Sequence, residues 1–302
     1  MDKYNNRETL KKSSFFSTFI STKENGKKTF SLRAYRYFSV ILIHILFLLS
    51  YYVDIQILEG SISGSRILGF HLADPFLSLE VIFAHKQFPI NLIIGSITIL
   101  SFYFIFGGRA FCSWVCPYGI VSEIGEKINS KLIEKKIIKP RKITRKIRYF
   151  IWAFFLISSF FSAILVFEIF NVVGIFSRFI IYGFSFAFFW VVIVFLVEVF
   201  FYRRFWCACM CPLGTTYSLI ASKISLTKIS WNKDKCDHCG VCIDVCFVGD
   251  ILELTKKNSL ESKDKNKIKF NLSGIDCTMC GRCVDVCHHD ALKFENKIKD
   301  II

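Results

Sequence analysis

Cys236, Cys239, Cys242 and Cys246 are spaced C-x2-C-x2-C-x3-C, and Cys277, Cys280, Cys283 and Cys287 repeat the spacing. Thiolates at this interval wrap a cubane of iron and sulfide. Three closely spaced cysteines take three irons, and the fourth reaches the other cluster when two such runs share one domain. The expectation is two 4Fe–4S clusters, one on Cys236, Cys239, Cys242 and Cys287, the other on Cys277, Cys280, Cys283 and Cys246. Structural zinc is the competing use of clustered thiols, but it takes separated C-x2-C pairs rather than four cysteines in one tight run. His238, His288 and His289 lie among these cysteines; with four thiolates per cluster already supplied, they read as bystanders that tune potential.

A second constellation occurs twice. Gly108 to Gly119 reads GRAFCSWVCPYG, and Arg203 to Gly214 reads RRFWCACMCPLG. In both, an arginine (Arg109, Arg204) precedes an aromatic (Phe111, Trp206), then Cys-x3-Cys-Pro (Cys112, Cys116, Pro117; Cys207, Cys211, Pro212), then glycine. Residues four apart on a helix share one side. Cys112 with Cys116 and Cys207 with Cys211 are thus spaced to converge as 2+2 ligands of a third metal centre, or as a redox-active thiol set. The plainer alternative is small buried residues at a helix end, but the same compound motif arising twice favours function. Cys209 has no counterpart in the first copy, where Trp114 stands.

Long apolar runs must position these cysteines. The chain has 302 residues, is 53% hydrophobic and 17% aromatic, and carries a net charge of +15. That composition exceeds what a soluble core needs. From Trp231 onward acids and bases balance, so the basic surplus lies in residues 1–230, beside the apolar runs; it reads as the orientation signal of cytoplasmic loops, and nucleic acid is not an expected partner. Residues 1–36 form a basic arm without a motif. Spans are expected at 38–58, 90–106, 149–170 and 179–201, each near the length a helix needs to cross. The arm carries nine Lys and Arg and the stretch 123–148 carries ten, against two and one in the other two loops. This puts both termini and both C-x3-C-P motifs on the cytoplasmic side of the inner membrane. The expected organisation is a basic arm at 1–36, a four-helix membrane domain of two repeated hairpins at 37–230, and a cluster-binding domain at 231–302. Thirteen cysteines, eight of them in two runs on a cytoplasmic tail, fit metal ligation in a reducing compartment better than disulfides.

The tail resembles the bacterial-type two-cluster ferredoxin fold, a small α+β unit with pseudo-twofold symmetry. It departs from that pattern where proline would follow each fourth cysteine, since Phe247 and His288 stand there, and in a polar insertion from Lys256 to Lys269. Four spans, two C-x3-C-P motifs after spans two and four, a two-cluster tail and the outer-loop Asp74-Pro75 together resemble the NapH family, the ferredoxin-type membrane subunit of the quinol dehydrogenase serving periplasmic nitrate reductase. The resemblance covers about residues 38 to 295. It implies oxidation of quinol, menaquinol or ubiquinol, with electrons passed through a NapG-like ferredoxin subunit and, in some systems, a tetrahaem cytochrome.

Quinol oxidation needs a proton acceptor beside an apolar slot, and ionisable residues in or near a membrane are the natural candidates. His44, Asp54, Glu168 and Glu198 lie in or at the ends of spans; His71, Asp74, Glu80 and His85 lie at the outer rim. Singly, each is more often an ordinary interfacial group. A membrane haem is disfavoured because only His44 among the histidines lies in a span. The alternative function is metallocofactor assembly or copper reduction of the oxidase-maturation type, because Cys207-Ala208-Cys209-Met210-Cys211 is soft enough for Cu(I).

Overall fold

The computed structural model describes residues 20–296 except 23–27, 55–56, 68, 108, 140, 142, 225, 247, 249–250, 253–254, 256–268 and 272–275. The expected insertion at Lys256 to Lys269 and the substituted Phe247 thus fall almost wholly outside the described residues. The chain divides into two units, one built from Met1–Ser39, Tyr103–Trp114 and Ile220–Ile302, the other from Val40–Phe102 and Val115–Leu219.

Two short strands, β1 (Ile20–Thr22) and β2 (Lys28–Phe30), pair antiparallel and lead into helix α1 (Leu32–Val53). This helix begins six residues before the expected span. The reason is a cap supplied from far along the chain: the Asp285 carboxylate accepts from the backbone N–H of Leu32 at 3.0 Å and of Arg33 at 3.3 Å. An acidic acceptor at a helix N-terminus satisfies orphan donors and complements the dipole. At its other end Asp54 turns left-handed, φ 57°, and α1 stops. Among the described residues α1, at 22 residues, is the one helix long and apolar enough to cross a membrane.

In the second unit, β3 (Leu58–Ser61), β4 (Gly64–Ile67) and β5 (Phe70–Ala73) form an antiparallel meander. Helix α2 (Pro75–His85) follows, with Asp74 as its N-cap and Pro75 at its first position, where a missing N–H costs nothing. Helix α3 (Ile90–Phe106) coincides with the second expected span. It lies against the strand backbone at Gly95, where a Cβ would stand 2.8 Å from the His71 carbonyl. The third and fourth expected spans are each broken. Helix α6 (Ile147–Ser162) ends at a left-handed Ala163, and α7 (Val166–Phe170) continues after it. Helix α8 (Val172–Tyr182), capped by Asn171, stops at Gly183 with φ 89°, and α9 (Phe188–Phe200) resumes. An uninterrupted apolar run hides such breaks, because hydropathy does not register a change in backbone hand.

The two C-x3-C-P copies also differ from the expected symmetric hairpins. The first lies on α4 (Ala110–Trp114), followed by α5 (Tyr118–Glu134); the second lies on a π-helical turn (Trp206–Met210), followed by α10 (Pro212–Ile224). Helix α9 packs against α5 and α8, α2 against α6, and α6 against the π turn. Phe76 and Phe155 each meet Phe167 edge to face in this core, and Trp152 lies tilted against Phe76. The helices also expose large apolar side chains outward, among them Phe150, Phe161, Ile97 and Phe186.

In the first unit the tail is an α+β module. Strand β6 (Thr227–Asn232) is central in an antiparallel sheet with β7 (Lys269–Asn271) and β8 (Leu292–Asn296), while short helices α11 (Val241–Val245) and α12 (Arg282–Asp285) each carry part of one cysteine run. Its core is small, built on Trp231, Ile229, Val241 and Leu292.

Candidate metal centres

Both tail runs bend in the same way. The residue before the second cysteine is left-handed, His238 at φ 57° and Met279 at φ 51°, and the glycine after that cysteine is left-handed too, Gly240 at φ 79° and Gly281 at φ 72°. Each glycine then starts a short helix bearing the third cysteine. Alternating backbone hand turns successive N–H groups to one concave side, a surface suited to an anionic iron–sulfur thiolate cluster. Cys236, Cys239, Cys242 and Cys287 line one hollow, walled by Trp231 and Leu292. Cys246, Cys277, Cys280 and Cys283 line a second, walled by Ile229, Val248 and Leu252. Each cavity thus takes three thiols from one run and the fourth from the other.

The donor set fits a cubane better than a single ion. A tetrahedral zinc would draw four sulfurs to about 4 Å from one another, whereas no three His, Cys, Asp or Glu among the described residues converge on one ion position. Burial pushes the Cys242 thiol up to about 11, and the thiols crowded around it add to the rise. Burial likewise pushes Cys277 up to about 12, and Cys283 rises for the same reason. Such thiols stay protonated at neutral pH unless metal charge displaces the proton, which is how a ligating thiol behaves. The neighbouring histidines are engaged elsewhere. His238 Nδ1 lies 2.8 Å from the Thr255 carbonyl, with its ring edge-on to Trp231, and His289 lies 3.7 Å from Asp237.

The second run is fastened within its unit. The Arg109 backbone N–H donates to the Cys277 carbonyl at 3.0 Å, and the Arg109 guanidinium lies 3.9 Å from Asp276. Trp114 Nε1 donates to the Met279 carbonyl at 3.1 Å. Gly281 abuts Leu32 so closely that a Cβ would stand 2.6 Å from its Cδ1.

The C-x3-C-P cysteines do not lie one turn apart on a continuous helix, as their spacing suggests. Cys112 is on α4, but Cys116 falls beyond its end. Cys207 is in the π turn, and Cys211 is extended at φ −76°, ψ 107°. The cause is the proline after each second cysteine, which excludes helical geometry at the residue before it. Cys112 belongs to the unit that holds the tail; Cys116, Cys207 and Cys211 belong to the other. In that other unit Cys116, Cys209 and Cys211 are buried, and Cys207 Sγ lies 3.9 Å from Ser122 Oγ.

Around the second copy of the motif, Tyr118, Ser122, Glu123, Glu126 and Asn129 were not singled out by the sequence, whereas Glu198 and Arg204 were. Tyr118 is fully buried, and burial together with the Glu198 and Cys207 charges pushes its phenol well up, so it keeps its proton. Glu198 is fully buried; its Oε1 accepts from the Trp206 N–H at 3.1 Å. Arg204, left-handed at φ 54°, sets its guanidinium 2.7 Å from Glu126 and 3.4 Å from Glu123. Asn129 Nδ2 donates to the Val199 carbonyl at 2.7 Å. Ser122, Glu126 and Asn129 sit at helical intervals on α5, a signal available in the sequence but masked by the basic stretch that follows.

Of the outer-rim candidates, Asp74 and Glu80 are buried close together with Glu168, and His71 stands apart at an exposed edge, 3.5 Å from Arg66. Burial pushes the Asp74 carboxyl up to about 7, against the pull of the Phe76 N–H it caps. Glu80 Oε1 accepts from Ser159 Oγ at 2.6 Å and from the Phe167 N–H at 2.7 Å, tying α2 to α6 and α7. Glu168 pairs with Arg178 at 2.7 Å. A separate open hollow of about 270 Å³ is lined by Phe47, Tyr51, Asp54, Glu59 and Tyr182, and by none of His71, Asp74 or Glu80. His44 Nδ1, on α1, donates to the Val40 carbonyl at 2.8 Å.

Comparison with known proteins agrees with this geometry. A 4Fe-4S binding domain model matches residues 88–140 and 182–232, spanning both C-x3-C-P copies, and a 4Fe-4S dicluster domain model matches 235–291. The chain is 33% identical to the ferredoxin-type protein NapH of Haemophilus influenzae over 72% of this chain and 75% of the relative. It is 28% identical to NapH of Escherichia coli over 67% and 69%. It is 31% identical to the methylamine utilization ferredoxin-type protein MauN of Methylorubrum extorquens over 64% of this chain and 66% of that protein, just under two thirds of its length. No solved structure matches.

Proposed function

Because the chain belongs to the NapH family of ferredoxin-type iron–sulfur electron-transfer proteins, we propose that it is the membrane subunit of a quinol dehydrogenase, oxidising quinol and passing electrons towards a periplasmic nitrate reductase system. The observation that carries this reading is the eight tail cysteines lining two cavities, four to each, in the same unit as Cys112. The tail cavities take the two clusters, on Cys236, Cys239, Cys242 and Cys287 and on Cys277, Cys280, Cys283 and Cys246. When bound, these supply one-electron carriers; the chain's own part is to supply thiolates, exclude water with Trp231, Ile229 and Leu292, and fix the run geometry through the left-handed residues.

The membrane domain crosses four times, through α1, α3, α6 with α7, and α8 with α9, with both termini and the tail in the cytoplasm. The exposed Phe and Ile side chains on these helices support this, since contiguous exposed apolar surface calls for an apolar solvent. Helix α6 alone spans about 24 Å at 1.5 Å per residue, short of the roughly 30 Å hydrocarbon layer, so α7 completes the crossing. Asp74, near its midpoint at neutral pH, is the rim candidate best suited to accept a proton. Glu80 already serves as a strut. Cys112, Cys116, Cys207 and Cys211 are the candidates for the redox or third metal centre that receives electrons from quinol. The expected partners are a NapG-like ferredoxin subunit and a tetrahaem cytochrome. The likeness to MauN, a ferredoxin-type protein of methylamine utilization, supports an electron-transfer role without the link to nitrate.

The test is anaerobic purification with iron and acid-labile sulfide assay, followed by addition of a reduced menaquinone analogue and the partner subunit. Cluster reduction visible by EPR is expected, and clusters that stay oxidised under excess quinol would overturn the quinol reading. Iron beyond two clusters that disappears in Cys116→Ser and Cys207→Ser would identify the third centre.

A further inference from the structure

The two tail centres are not equivalent in their surroundings. The second run is held by hydrogen bonds to the first C-x3-C-P segment. The Cys277 carbonyl accepts from the Arg109 N–H at 3.0 Å, and the Arg109 carbonyl accepts from the Cys112 N–H at 3.0 Å. Two hydrogen bonds and one residue of backbone therefore link a ligand of the second run to Cys112. Trp114, on the same short helix, donates its indole N–H to the carbonyl of Met279, between ligands Cys277 and Cys280. Ser39 Oγ and Arg36 Nε hold that helix in turn, donating to the carbonyls of Trp114 and Ser113 at 2.9 and 3.1 Å. In the second C-x3-C-P copy the Arg204 carbonyl accepts from the Ala208 N–H at 2.8 Å.

The first run faces the other way in chemical terms. Its cavity is rimmed by Lys235, Asp237, His238 and His289, with Asp237 and His289 about two-fifths exposed. The second run is sunk among buried neighbours, Thr278, Met279, Arg282 and Cys283 all lying below a tenth exposed.

We infer that Arg109 and Trp114 are positioning residues that couple Cys112 to the centre held by Cys246, Cys277, Cys280 and Cys283, and that the centre held by Cys236, Cys239, Cys242 and Cys287 exchanges electrons with a soluble redox protein. The direction of flow rests on the quinol reading given above, and the order of the two centres on Cys112 belonging to the redox centre proposed there. Each passage moves a single electron. The donor is a quinol, which loses two electrons one at a time and releases two protons, and the acceptor is a one-electron redox protein; within the tail no bond is made or broken. Electron transfer through bonded and hydrogen-bonded paths outruns transfer through space, so the Cys277–Arg109–Cys112 relay selects the second centre as the inner one.

The experiment uses the full-length protein in detergent, reduced with dithionite, so that quinol is not required. Cys239→Ser and Cys280→Ser, which keep an oxygen ligand, assign the two EPR signals. A bulky water-soluble dysprosium chelate is then added and the relaxation of each signal is measured. Enhancement confined to the signal altered in Cys239→Ser is expected; equal enhancement of both, or enhancement of the other signal, overturns the order. Trp114→Phe keeps the ring and loses the N–H donor. Its two midpoint potentials should match the wild type, while reduction of the second centre by a menaquinol analogue slows. Unchanged kinetics would remove Trp114 from the path. If quinol reduces neither centre in the wild type while the relaxation result holds, the substrate reading fails and the order of centres stands.

Discussion

At the scale of single residues, the ion cluster beside the second C-x3-C-P copy has the clearest energetic consequence. Arg204 holds two buried carboxylates, Glu123 and Glu126, at 3.4 and 2.7 Å. Removing one partner of a buried ionic set leaves charge without compensation. Arg204→Ala is therefore expected to destabilise the protein by about 3–5 kcal/mol, seen as a lowered unfolding temperature in detergent with the iron content of the tail retained in protein that folds. Glu80 makes a comparable case in a neutral setting. Ser159→Ala takes one hydrogen bond from a fully buried carboxylate and should cost about 1–3 kcal/mol, while Ser159→Thr should cost less if its hydroxyl reaches Glu80. A double-mutant cycle with Glu80→Gln would measure the coupling.

At the scale of elements, two close approaches and one irregular turn decide the arrangement. Helix α3 lies on β5 because residue 95 has no side chain, and Gly95→Ala would press a methyl against the His71 carbonyl. The expected loss is about 1–3 kcal/mol, checked by thermal unfolding against Gly64→Ala, whose Cβ would meet nothing within 4 Å. The π turn at Trp206–Met210 inserts one residue into what would be an α-helix, closing with the Cys211 N–H on the Trp206 carbonyl at 2.9 Å. Single-turn π segments concentrate at functional positions. Deleting Ala208 should restore α geometry, rotate Cys207 away from Ser122 and alter thiol reactivity there, while both tail clusters persist. A labelling rate for Cys207 equal to that of the intact chain would show that the turn does not set its environment.

At the scale of the whole molecule, the tail depends on what fills it. Its apolar core is a handful of side chains, and eight cysteines line the two hollows among them. Small domains with so little core fold on their metal. Anaerobic removal of iron by a chelator is expected to abolish amide protection in β6, β7 and β8 while the α2, α6 and α9 helices keep theirs, as read by hydrogen exchange. The sequence alone determined the paired spacing of the eight tail cysteines, the family likeness and the second α-helical run at 90–106, because motif spacing and apolar length are properties of short contiguous stretches. Tertiary structure alone decided where the longer apolar runs break, at Ala163 and Gly183, since hydropathy is blind to backbone hand. It also decided the carboxylates gathered around Arg204 and the fastening of Trp114 to Met279, 165 positions away. Partners so distant share no periodicity or spacing, and only packing brings them within hydrogen-bond reach.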